Sequence, residues 1–134
     1  MIADFTQFLT SYIDSWKNSS LQYLKTYISN DYQAREVADG TITDFGYEES
    51  INGWEQGFQF VQESDAQWDL TIGSIYQLRD NEIMVTIAAG LIINGKTTGN
   101  GNLFFQTFRA SPQDQTWKLV RSYIEAGVSI SSIQ

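Results

Sequence analysis

The sequence predicts a single α+β domain over residues 1–134, with three N-terminal helices packed on a strongly curved, mainly antiparallel sheet that has four long C-terminal strands. Three observations predict it. In the first half, apolar residues recur three and four apart, the repeat of a helix with one buried stripe. In the second half the repeat changes to alternation, in four runs rich in β-branched and aromatic residues. Glycines sit inside those runs, where a strand can bulge or bend.

Phe5, Phe8, Leu9, Tyr12, Ile13 and Trp16 form the first helical stripe. Asp4 followed by Gln7 has the pattern of a capping box at its start. After Lys17-Asn18, Ser19 or Ser20 caps a second helix carrying Leu21, Leu24 and Ile28 on one face, so the two helices form a hairpin. A short strand, Gln33 to Ala38, turns at Asp39-Gly40 and returns as Thr41 to Phe45. Glu48 to Gln62 reads as the third helix, with its acids at the positive end and a stripe of Ile51, Trp54, Phe58 and Val61. Gly53 and Gly57 weaken that helix and point to close packing against it. The four long runs are Ala66–Leu78, Glu82–Ile93, Lys96–Ala110 and Gln115–Val128. Asn94-Gly95 between the second and third is a hairpin signal, and all the links are short, so these strands form a meander. Strands this long must twist and curl, and the helices closing the concave side leave room for a pocket.

Composition narrows the chemistry by subtraction. The chain has no Cys and no His. Disulfides, thiolate chemistry, a His general base and His- or Cys-ligated metals are excluded. No cluster of acids has the loop spacing of a carboxylate metal site, and no phosphate loop or dinucleotide fingerprint is present, so no cofactor is expected. Sixteen acids against eight bases give a net charge of −8, which argues against nucleic acid and anionic membranes as partners. The N-terminus lacks the basic and apolar segments of a signal peptide, and the apolar stretch Ile83–Ile93 is too short to span a bilayer. A cytoplasmic protein is the expectation.

The element order, with Trp16 near the end of the first helix and Trp117-Lys118-Leu119-Val120-Arg121 opening the last strand, resembles the nuclear transport factor 2-like superfamily. That superfamily includes SnoaL-like and ketosteroid-isomerase-like proteins. The resemblance covers essentially the whole chain. It implies a cone-shaped fold with a pocket and a homodimer formed through the sheet. Its members range from isomerases, dehydratases and cyclases to transport factors, assembly domains and proteins of unknown function.

The resemblance also implies that the face of the last strand beginning with Trp117 looks into the pocket. By simple alternation that face carries Arg121, Tyr123 and Glu125, and the matching face of the third long strand carries Asn100, Asn102, Phe104 and Gln106. The other reading is that Arg121 and Glu125, neighbours on one face, pair with each other and with Lys or Asp across the sheet. Trp16, Tyr27, Trp54 and Phe58 complete an aromatic lining, or are core residues only.

A sharper constellation comes from the ketosteroid-isomerase-like members. Aligned through the helices, the resemblance places Tyr12 at their tyrosine and Glu36 at their aspartate base. Matching Phe108-Arg109 places Gln106 at their second aspartate. Tyr12 and Gln106 would donate to an oxyanion and Glu36 would shuttle a proton. The alternative makes Tyr12 a core residue, Glu36 a solvated strand residue and Gln106 a polar residue of the sheet face. Flavin or haem binding has only the aromatics in its favour, the haem version weakened by the missing His, and two main functions stand. One is a pocket for a small apolar or carbonyl-bearing molecule, with or without cofactor-free acid–base catalysis. The other is a non-catalytic dimeric interaction module, whose outer face would present Ile92, Leu103, Phe105, Val120 and Ile124.

Overall fold

The computed structural model describes residues 2–113 and 116–130. Helix α1 (Ile2–Lys17) is followed by one turn of helix, α2 (Leu21–Leu24), a 3-10 turn at Lys25–Tyr27, and strands β1 (Ile28–Ala38) and β2 (Thr41–Phe45). Helix α3 (Tyr47–Glu63) leads into β3 (Gln67–Arg79), β4 (Glu82–Ile93), β5 (Lys96–Thr97), β6 (Asn100–Ala110) and β7 (Trp117–Ser129). The sheet has seven strands in the order β2-β1-β7-β6-β4-β3, with β5 attached to β4. Only β1 and β7 pair in parallel; the other ladders are antiparallel. The meander of long strands is therefore β3-β4-β6-β7, and β1 returns beside its last member.

The core lies between the concave face of this sheet and α1 and α3. Ile83, Val85 and Ile87 of β4 alternate inward and are fully buried. They share that face with Phe104, Gln106 and Phe108 of β6 through the registers Ile87↔Phe104, Val85↔Gln106 and Ile83↔Phe108. Phe5, Tyr12 and Trp16 of the α1 stripe are buried against them. Phe5 and Phe108 stand 5.6 Å apart and Tyr12 and Phe108 5.1 Å apart, as tilted or edge-on rings.

Several sequence expectations shift. Asp4 is not a cap: α1 starts at Ile2 and Asp4 lies in its first turn. The second helix ends at Leu24, and Ile28 opens a strand instead of sitting on a helix face. Ile28 and Tyr32 are β-branched or aromatic, and strand pairing rewards them more than a helix does. The third long run breaks between β5 and β6, where Gly99 has a φ of +79°. Gly53 packs against nothing, since a methyl added there would find no atom within 4 Å. The expected start of the last strand at Gln115 lies outside the described residues.

The two expected tight turns are present, with φ of 51° and 79° at Asp39-Gly40 and 54° and 79° at Asn94-Gly95. Positive φ at both central residues matches the twist of a two-residue hairpin.

Two bulges in β7 decide which way its side chains point. Phe108 pairs with Leu119 but Thr107 pairs with Arg121, so Val120 is an extra residue. Before it, Trp117 and Leu119 face inward; after it, Ser122 and Ile124 do, all of them buried. A second irregularity lies between the pairs Gly101↔Val128 and Leu103↔Glu125. There Gly127 takes a φ of 67° and its N–H donates to Asn102 Oδ1 at 3.1 Å.

Candidate functional site

A cleft of about 340 Å³ opens between α3 and the concave face of the sheet. Six aromatic residues line it: Trp16 from α1, Tyr32 and Phe45 from β1 and β2, Trp54 from α3, Trp68 from β3 and Phe104 from β6. Three of them make a boxed corner. Trp16 stands 4.7 Å from Trp54 at 84° and 5.1 Å from Phe104 at 83°, while Trp54 and Phe104 lie near parallel, 13° apart. Glu36, Glu49, Ser50 and Asn102 supply polar edges. Helix α3 brings Glu49, Ser50, Gly53, Trp54 and Gly57 to the cleft, which is its i, i+3, i+4 spacing. The two glycines keep that stretch of helix low, and a methyl added at Gly57 would stand 3.8 Å from the Trp68 ring.

Polar groups in the walls differ in how far they are satisfied. Trp68 Nε1 donates to Ser19 Oγ at 3.0 Å. The Trp16 indole N–H is buried and has no acceptor. Glu49 Oε1 accepts the Gly46 N–H at 3.2 Å and so caps α3 with one oxygen. Burial pushes the Tyr32 phenol up, the hydroxyls of Ser122 and Ser50 pull it back, and nearby Glu36 raises it, leaving it at about 12. Ser122 Oγ makes no well-aligned hydrogen bond in the structure, so its hold on Tyr32 is one of proximity.

Of the residues expected from sequence, Trp16, Glu36, Trp54, Asn102 and Phe104 line the cleft. Phe58 is buried one layer behind it, 5.6 Å from Trp54 and 6.1 Å from Trp68. Tyr27 does not line the cleft and packs against α1, 5.3 Å from Phe8 and 6.3 Å from Tyr12. Asn100 is exposed at the end of β6.

Arg121, Tyr123 and Glu125 are on the opposite, convex face. The extra residue Val120 reverses the alternation on which the inward placement rested. Arg121 bonds Glu82 at 3.1 Å, not Glu125, and Tyr123 donates to Glu125. By the same reversal Ile124, expected on the outer face, lines the cleft, and Val120 is buried.

The three candidates for catalysis are not brought to one open space. Tyr12 is fully buried and donates to Gln106 Oε1 at 2.9 Å. Neither residue lines the cleft, whereas Glu36 does. The Tyr12 phenol is held well above its ordinary pKa, first by burial and then by the nearness of Tyr32.

Sequence reasoning missed Phe45, Glu49, Ser50 and Trp68 as lining residues. Glu49-Ser50, Gly53-Trp54 and Gly57 share one helical face, and that spacing was available to be read.

Among the described residues no group of acids could hold a metal ion, and no helix is long and apolar enough to cross a membrane.

No family model matches the sequence, and no curated protein matches it. Solved structures do. The chain is similar to a nuclear transport factor 2-like protein of unknown function from Shewanella oneidensis, with a TM-score of 0.68, 18% identity and coverage of 93% of this chain and 99% of that one. A second such protein of unknown function, from Silicibacter pomeroyi, gives 0.66, 15%, 93% and 94%. A domain of unknown function with a cystatin-like fold from Nostoc punctiforme gives 0.68, 14%, 96% and 78%. At these identities the likeness is one of fold: the chain has the nuclear transport factor 2-like fold.

Proposed function

We propose that this chain is a small-molecule-binding domain of the SnoaL-like type, and that the aromatic cleft takes a compact ligand with an apolar body and an acceptor oxygen. The observation that carries this is a cavity of about 340 Å³ walled by six aromatic residues, with Ser50 and Asn102 among its polar edges. Cavities of this size suit small ligands, and the Asn102 amide, whose oxygen accepts the Gly127 N–H, has its NH2 group to donate to a ligand carbonyl or hydroxyl. The geometry favours binding over catalysis, because the Tyr12 proton is already committed to Gln106, away from Glu36.

The test is a titration followed by the indole N–H resonances, since three of the four tryptophans, Trp16, Trp54 and Trp68, line the cleft. Acetophenone is expected to shift the signals of Trp54 and Trp68, which keep surface open to the cleft, and to bind more tightly than ethylbenzene, its carbonyl-free counterpart. No movement of the three cleft indoles by either compound would sink the reading.

A second reading, compatible with the first, is a homodimer through the convex sheet face. Tyr123 is 40% exposed there, with its ring 6.0 Å from that of Phe105. A large aromatic left half-exposed at the centre of a sheet face favours a covering surface.

A further inference from the structure

We infer that the ligand of the cleft is an organic cation, with an ammonium or similarly charged head seated against the aromatic corner. This rests on the reading of the cleft as a ligand site and narrows the class of molecule. Three observations combine. The walls are aromatic, and the corner built by Trp16, Trp54 and Phe104 places three π-systems within 6.3 Å of one another. Aromatic faces carry negative charge density and attract cations, tryptophan most strongly. Glu36 and Glu49 are the charged residues of the lining, and among the described residues no lysine or arginine joins them.

The remaining cations are elsewhere. Arg35, Arg109 and Arg121 fall on the convex face by their strand pairings, and Arg79 pairs with Glu82 at the same face. The cleft is thus a concave, low-dielectric space with one sign of charge in a chain of net charge −8, and such spaces concentrate counter-ions.

Desolvation decides between ligand classes. A neutral ligand that fills the cleft strips water from the Glu36 carboxylate and offers nothing in return, which is costly. An anion adds repulsion. A cation restores the lost hydration by charge pairing and also engages the ring faces.

Choline and 3,3-dimethylbutan-1-ol differ only in the nitrogen or carbon at the branched centre, so they isolate the charge. Both would be titrated into the full chain while the indole resonances of Trp16, Trp54 and Trp68 are followed, with acetophenone run on the same sample. Choline is expected to bind about tenfold more tightly than the alcohol. Glu36→Gln is expected to bring the ratio of the two constants towards one. Equal affinities for the two probes, or an unchanged ratio in Glu36→Gln, would overturn the inference. Acetophenone binding without choline binding overturns the cation while leaving the ligand site standing. Failure of all three probes removes both.

Discussion

Tyr32 shows how much one side chain can be asked to do. It sits on β1, lines the cleft, and places its phenol near Ser50 of α3 and Ser122 of β7. Together with Tyr12 it makes a pair of buried phenols that stay neutral to unusually high pH. Tyr32 is raised to about 12, by burial first, and Tyr12 is also raised, again by burial first. In the unfolded chain both would ionise near 10. Below that pH the folded and unfolded states hold the same protons. Above it the unfolded chain sheds protons that the folded one keeps, so stability is full below about pH 10 and falls from there towards pH 12, by at most about 1.4 kcal/mol per pH unit per tyrosine. Urea midpoints measured from pH 9 to 11.5 should therefore fall steeply for wild type and less steeply for Tyr32→Phe. The same slope in both would refute the assignment. At this scale the sequence was informative about type and poor about place. Aromatic richness announced a lining, and Trp16, Trp54 and Phe104 are in it. Nothing in the chain's order said that the Tyr12 phenol would be used up by Gln106, because that bond joins residues 94 positions apart.

Helix α3 and strand β6 use glycine in opposite ways. At Gly101 a methyl would collide with the carbonyl oxygen of Ala89 on β4, and neither backbone can yield. At Gly53 a methyl meets nothing within 4 Å, yet the position lines the cleft. Gly101→Ala should cost about 2–3 kcal/mol as an overpacked core does. Gly53→Ala should gain about 0.5–1 kcal/mol in helix stability and reduce binding of any ligand that fills the cleft. Thermal melts of the two variants check both signs; a destabilised Gly53→Ala would mean that the glycine serves the backbone, not the cavity. Elements whose repeat was long and regular, α1, α3 and β4, were legible from spacing alone. The second helix was not, because Leu21 and Leu24 satisfy a helical stripe for one turn and the β-formers that follow are claimed by pairing with β7.

Seen whole, the molecule separates its charges. Three of its arginines, Arg79, Arg109 and Arg121, converge on Glu82 at 2.7, 3.4 and 3.1 Å. Burial would raise the Glu82 carboxyl, but Arg121 and then Arg79 outweigh it and hold the group below its usual range. Arg35 and Asp44 form a further two-point contact at 2.7 and 2.9 Å beside Tyr123. Apolar Leu103, Phe105 and Tyr123 at the middle and ion pairs at the margin resemble the layout of a protein interface, with an apolar centre and a polar rim. Sedimentation velocity at micromolar concentration should show a dimer for wild type and a monomer for Phe105→Arg. A monomeric wild type would count against the second reading, and leave the cleft untouched. The overall fold was readable because element order and strand length constrain it strongly. The polarity of the sheet's two faces was half lost, for one local reason.

That reason is Val120. An extra residue in a period-two pattern works like a frameshift in a coding sequence: everything downstream is correctly spelled and assigned to the wrong side. Removing Val120 would not simply shorten β7. It would remove the bulge and leave simple alternation from Trp117, with Arg121, Tyr123 and Glu125 still on the convex face and Ser122 and Ile124 still turned inward. One extra residue thus separates the faces counted along the chain from the faces the sheet presents.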